Sequence, residues 1–276
     1  MSPVPRTYDL DDPALVAAID DAPVWSAPFG LALLDAVRPR PGLRALDVGS
    51  GLGFPAVELA QRLGPTGHVT GLDPWRAANA RARAKARAWG LDNLTICEGQ
   101  AERMPFADAS FDLVVSNNGT NNVDDDRQAC REIARVARPG AAVLLTLNLP
   151  DTMHEFYAAY RRALAARGLQ ALLPTLEAHI FHKRKPLAYV EEALRAAGLA
   201  VRAVRHDAFT LRYADAAAML GSPLIRLAFR PAWEQVVDGQ DAAAIFADLA
   251  ADLDRRAGPA GCVELTVPWV LIEAVR

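Results

Sequence analysis

The chain has 276 residues, 51% of them hydrophobic and 23% charged, with a formal net charge of −3 and a pI near 6.0. That length accommodates one large α/β domain with insertions, and the composition excludes a disordered or low-complexity chain and any general attraction to nucleic acid or anionic membrane. The apolar runs are of strand length, which excludes a membrane span, and Cys97, Cys130 and Cys262 fit no C-x-x-C or zinc-ligand pattern, so a reduced, metal-free cytoplasmic protein is expected.

Taken in chain order, residues 1–42 read as a helical N-terminal cap rather than a secretory leader, and they end at the stiff junction Arg38-Pro-Arg-Pro-Gly42. Strands are predicted at Arg44–Val48, His68–Asp73, Leu94–Glu98, Phe111–Ser116 and Ala141–Asn148. Each is short and apolar or β-rich, as parallel strands buried on both faces should be. Helices are predicted between them at Phe54–Leu63, Arg76–Trp89 and Asp126–Ala137, the last stopped by Arg138-Pro-Gly140. Leu187–Ala197 reads as a helix, and Val201–Leu211 and Val263–Val275 as long strands. The stretches 150–185 and 214–258, rich in helix formers and aromatics, read as lid or substrate-binding insertions over one sheet edge, not as a separate domain. The alternation argues for a right-handed parallel sheet with helices on both faces, and 43–150 as its ligand-binding core.

The loop Asp47-Val-Gly49-Ser50-Gly51-Leu-Gly53 follows the first strand and opens a helix. Glycines are needed where backbone N–H groups must approach a ligand closely. The third glycine comes one residue too early for the G-x-G-x-x-G of a nicotinamide-dinucleotide turn. Asp73, 20 residues after Gly53 at the end of the second strand, is placed to accept both hydroxyls of an adenosine ribose; the plainer alternative is an Asp73-Pro74 turn.

Leu94-Thr-Ile-Cys-Glu-Gly-Gln-Ala-Glu-Arg-Met-Pro-Phe106, followed by Ser110-Phe-Asp-Leu-Val-Val-Ser116, completes a block from about Arg44 to Asn148. That block resembles class I S-adenosylmethionine (SAM)-dependent methyltransferases, in particular the small-molecule branch of the ubiquinone/menaquinone-biosynthesis C-methyltransferases. The resemblance implies a Rossmann-like α/β fold: a seven-stranded, mostly parallel sheet with helices on both faces, the last strand antiparallel, and helical lid insertions. It also implies SAM as cofactor. Asp47 and the loop Gly49, Ser50, Gly51 and Gly53 would lie under the methionine part. Asp73 and Pro74 would meet the ribose, and Trp75 the adenine face. Gln100, Ala101 and Glu102 would frame the adenine edge, with Gln100 departing from the aspartate usual there, and Asn117 would lie near the methionine tail. Aromatics of the cap, Tyr8, Trp25 and Phe29, would wall the acceptor pocket, together with Asn121 of the Asn-rich loop Ser116–Val123.

No general base stands out, so the catalytic residues stay unassigned. His68 and His206 read as strand residues. His179-Ile-Phe-His182-Lys-Arg-Lys185 reads as a surface basic cluster, Tyr157, Tyr160 and Tyr213 as core or pocket, and the basic segment Arg76–Trp89 as a solvated helix face and not an RNA site. The expected protein is therefore a cytoplasmic SAM-dependent methyltransferase acting on a small organic acceptor, without a nucleic-acid partner, with a homodimer left open. A non-catalytic SAM-binding protein and an NAD(P)-dependent oxidoreductase are the alternatives.

Overall fold

The computed structural model describes residues 8–257 and 261–276. The first seven residues of the N-terminal cap and the last residue of the second insertion, 258, lie outside them. In chain order the elements are α1 (Pro13–Asp20), α2 (Ala27–Ala36), β1 (Arg44–Val48), α3 (Ala56–Leu63), β2 (His68–Asp73), α4 (Arg76–Ala88), β3 (Leu94–Glu98), β4 (Phe111–Asn117), α5 (Asp126–Val136) and β5 (Ala137–Asn148). They continue with α6 (His154–Ala166), α7 (Leu173–Lys183), α8 (Leu187–Ala196), β6 (Ala200–Tyr213), α9 (Ala216–Gly221), α10 (Pro223–Ala228), α11 (Arg230–Val236), α12 (Ala242–Arg256) and β7 (Val263–Val275). The seven strands run in the order β3-β2-β1-β4-β5-β7-β6, mostly parallel, with an antiparallel end.

The bounds of β1, β2, β3 and β7 are those read from the sequence, and seven others differ: α4, β4 and α8 by one residue at their C-terminal ends, and α3, α5, β5 and β6 as follows. α3 begins at Ala56, because Phe54 and Pro55 belong to the turn that Gly53 makes at φ +93°. α5 ends at Val136, and β5 starts at Ala137 instead of Ala141. Ala137 pairs with Phe111, and a shift of register between Phe111 and Leu113 accommodates the Pro-Gly segment. β6 is three residues longer than expected, Ala200–Tyr213.

The chain divides into two compact units. The first comprises residues up to Leu147, Leu187–His206 and Val270–Arg276, and holds the parallel strands. In β1, four of five residues are buried, including Ala45, Leu46 and Val48, each of which removes apolar surface from water. The cap belongs to this unit. Phe29, Leu33 and Leu34 of α2 are fully or almost fully buried. Two side chains of α4 clasp α1: Asp20 takes Arg81 at 2.7 Å and Lys85 at 2.6 Å. α4 buries Ala78, Asn79, Ala82 and Ala86, a stripe at helical spacing, so the arginines fall on its other faces.

The second unit comprises Asn148–Pro186 and Asp207–Trp269. Its centre is aromatic. Phe156 stacks on Trp233 with ring centroids 3.8 Å apart, and Tyr160 donates its hydroxyl to the Trp233 carbonyl at 2.7 Å. Arg162 binds one oxygen of Asp252 through two nitrogens at 2.8 and 2.6 Å, tying α6 to α12. Tyr157 and Tyr160 are both core residues, 1% and 0% exposed.

Candidate functional site

The turn after β1 brings the predicted cofactor residues together within the first unit. Gly49 has φ +74°, and a Cβ there would meet Cα of Gly119 at 2.7 Å, so only glycine lets the turn after β1 touch the turn after β4. Gly51 has φ +49°, yet a Cβ there would meet nothing within 4 Å.

Asp47, the fourth residue of β1, is fully buried, and among the described residues neither carboxyl oxygen has a hydrogen-bond partner. The amide of Ala56 faces it without closing a bond of ordinary geometry. Burial pushes the carboxyl up to about 8, and the charge of Asp73 adds to the rise. Ser50 Oγ and Thr120 Oγ1 are likewise buried without partners. Buried polar atoms in folded proteins are nearly always satisfied, so a buried carboxyl left bare at the end of β1 fits a cationic group of a bound cofactor.

Asp73 closes the other side. Its Oδ2 accepts the Gly51 amide and its Oδ1 the Trp75 amide, both at 2.8 Å. Burial raises its pKa, and the two amides pull it back down. Each oxygen keeps a second lone pair for a ribose hydroxyl. Asp73 therefore fastens the glycine loop, which its place at a strand end did not reveal. Trp75 is half-buried, and its indole donates to the Leu10 carbonyl at 3.2 Å, so the cap is tied to this side of the site.

The remaining predicted residues are distributed less evenly. Pro74 and Gln100 are exposed, and Gln100 forms an isolated bridge with Arg103. Ala101 is buried, and Glu102 accepts the amides of Asp124 and Asp125 at 2.8 and 3.3 Å, so its carboxylate shapes the loop after β4. Asn117 donates to the Ser26 carbonyl at 3.1 Å and accepts from Thr146 at 2.9 Å, which locks the start of α2 to the end of β4. Asn121 donates to Asn118 at 2.9 Å. Of the cap aromatics, Trp25 and Phe29 meet edge-to-face at 5.6 Å, Phe29 is fully buried, and Tyr8 is half-exposed.

Sequence reading missed several residues that build this site. Ser116 Oγ donates to the Val48 carbonyl at 2.7 Å, and Asn79 holds the Asp73 carbonyl at 2.8 Å. Thr146 and Ser26 fix Asn117. Asn79, the buried polar residue in an otherwise alanine stripe, was the one readable signal. Among the described residues no group of His, Cys, Asp or Glu could hold a metal, and no helix is long and apolar enough to cross a membrane.

A parallel sheet with a glycine turn after β1, an acid at the end of β2 and a buried acid beneath the turn is the frame of a nucleotide-cofactor-binding α/β protein. The pattern of the methyltransferase domain family matches residues 46–145. The chain is 30% identical over 249 residues to nocamycin O-methyltransferase of Saccharothrix syringae, covering 87% of this chain and 88% of that protein. It is 36% identical over 121 residues to demethylmenaquinone methyltransferase of Bacillus cytotoxicus, covering 44% of this chain and 51% of that protein. A geranyl diphosphate C-methyltransferase from Streptomyces coelicolor, solved with S-adenosyl-L-homocysteine, shares the fold, with a TM-score of 0.55, 16% identity, and coverage of 94% and 82%. The chain belongs to the class I SAM-dependent methyltransferases. It is an enzyme that uses SAM to methylate a small molecule.

Proposed function

We propose that the acceptor atom is an oxygen of a small hydroxylated organic molecule. The observation that carries this reading is coverage. The relative named as an O-methyltransferase aligns over 87% of the chain, far beyond the cofactor-binding core, whereas the demethylmenaquinone methyltransferase match stops at 44%. Acceptor choice resides outside the core, in the stretches 150–185 and 214–258, so the relative that extends through them is the better guide.

On this reading Asp47 pairs with the ammonium of the methionine part, and the amides of the Gly49–Gly53 turn lie under it. Asp73 takes the ribose diol, Trp75 the adenine face, and Gln100, Ala101 and Glu102 the adenine edge, while Asn117 positions the turn near the methionine tail. The bound cofactor supplies an activated methyl group; the chain's own part is to align the acceptor and exclude water. An acceptor hydroxyl also loses its proton, and no side chain is assigned to that step. The enzyme works in the cytoplasm.

Incubation with methyl-13C SAM and a panel of small phenols and enols tests this. A product whose new carbon resonates as an O-methyl group supports the reading. A product labelled only at carbon or nitrogen overturns it.

A further inference from the structure

The second unit buries a cation that has no counter-ion among the described residues. Arg184, at the C-terminal end of α7, is 2% exposed. It donates once, from Nη1 to the Tyr157 hydroxyl at 2.8 Å, and its Nε is buried with no partner. Among the described residues no carboxylate forms an ion pair with it. Arginine is almost never buried this deeply unless it is paired. Its guanidinium does lie 5.2 Å from the centre of the Tyr157 ring, which is a weak substitute for a counter-charge.

The neighbours supply no negative charge either. The Tyr157 oxygen has three polar neighbours: Arg184 Nη1, Trp233 Nε1 at 3.0 Å and His179 Nε2 at 3.2 Å. Arg184 and Trp233 can only donate, so they occupy both lone pairs of the hydroxyl. The hydroxyl proton therefore points to His179 Nε2, which must be the unprotonated nitrogen. Burial lowers His179 to about 4, with Arg184, Lys183 and His182 adding to the fall, so at neutral pH the ring carries no charge. The cluster thus holds one net positive charge beside the Tyr157 ring, which itself meets Phe156 and Trp233 edge-to-face.

We infer that Arg184 is the anchor of a ligand site in the second unit for a single carboxylate, or an equally charged ionised enol, carried by a small aromatic or apolar molecule. One guanidinium balances one negative charge; a phosphate dianion would leave a buried charge uncompensated. Rings beside the cation favour an apolar body on the same ligand.

The test is calorimetric binding of benzoate to the full-length protein saturated with S-adenosyl-L-homocysteine, with benzamide and inorganic phosphate as parallel probes at matched ionic strength. Saturable benzoate binding is expected, with no heat from benzamide or phosphate. Arg184→Gln and Arg184→Met should weaken benzoate on the order of tenfold or more, with Arg184→Lys between them and wild type. Benzoate binding unchanged by these substitutions overturns the proposal, and so does phosphate binding in place of benzoate. If the variants do not fold, wild type alone decides, because equal heats for benzoate and benzamide, or none, refute a charge-selective site. Turnover plays no part in this readout, so a failure to methylate hydroxyls and a failure to bind the acid are separate results.

Discussion

Binding of SAM should expel a proton from Asp47, with a sign that reverses near pH 8. In the cofactor-free fold the carboxyl is pushed up to about 8, first by burial and then by Asp73. A group with that pKa is about 90% protonated at pH 7. An ammonium placed against it favours the ionised form, so binding at pH 7 releases about 0.9 proton from this side chain. The amino group of the ligand, with an ordinary α-amino pKa near 8, takes up about 0.1 proton at the same pH. The net release is therefore about 0.8 at pH 7, about zero at pH 8, and negative above it. By the same linkage, affinity should rise about 25-fold between pH 6 and pH 8.

Titration calorimetry in buffers of different ionisation enthalpy measures the proton count directly. Asp47→Asn should abolish the release at pH 7 and leave only the small uptake. A wild-type count near zero at pH 7, or one that Asp47→Asn does not change, would refute the pairing of Asp47 with the ammonium. The unliganded fold gives a second reading of the same group. Its pKa is raised, so the stability it contributes is present below about 4 and is lost as pH rises through about 8. Thermal stabilisation by S-adenosyl-L-homocysteine should accordingly be greater at pH 8 than at pH 6.

Three further substitutions probe the frame around the site. Asp73→Ala removes charged hydrogen bonds worth about 1.5–3 kcal/mol, so SAM affinity should fall about 10- to 100-fold. The melting temperature should fall as well, because the Gly51 and Trp75 amides lose their acceptor; unchanged affinity in a folded variant would sink the ribose assignment. Asp20→Ala removes the partner of Lys85 and leaves Arg81 only its exposed pair with Asp21, so about 1–2 kcal/mol of stability should be lost and proteolysis should begin in α1; cleavage elsewhere first would show that the clasp does not hold the cap. Tyr157→Phe leaves the buried donors of Arg184 and Trp233 without an acceptor, at a cost of about 1–3 kcal/mol each. Calorimetric unfolding that does not move would contradict the hydrogen-bond scheme in the second unit.

The cofactor half of the protein was legible because its constraints are local. A strand buried on both faces reads as an apolar run, and glycine and an acid mark its end, so β1 to β3 and the Asp47–Asp73 pair stood out. The start of β5 did not, since Pro139 and Gly140 look like a stop until Phe111 is there to pair with Ala137. The basic face of α4 read as solvated, whereas Arg81 and Lys85 hold the cap, and Arg83 Nη2 donates to the Ile96 carbonyl at 2.8 Å. Asp20 lies some sixty residues from those partners, and no periodicity links it to them. The aromatic centre of the second unit joins Phe156 and Tyr160 to Trp233 and Phe246 across most of that unit's sequence. Single-chain patterning shows each as a helix residue and hides the pairing. Arg184 is the clearest correction: it sits in a run that reads as surface basic residues, and the fold buries it.

Asp47 and Arg184 pose the same physical question with opposite signs. Each is an ionisable group taken out of water and given no protein counter-charge, an arrangement that lowers the stability of the empty fold. The two respond differently because their chemistry differs. A carboxyl can escape the penalty by taking a proton, which is why Asp47 is held near 8 and stays largely neutral until a cation arrives. A guanidinium has no such escape at any accessible pH, so Arg184 remains charged and its penalty persists until an anion compensates it. The cofactor side should therefore respond to pH, and the Arg184 side should not. Benzoate affinity should stay flat between pH 6 and 8, over the same range in which SAM affinity climbs. A benzoate affinity that rises and falls with the same pH profile as Asp47 would mean that Arg184 is not the group that binds it.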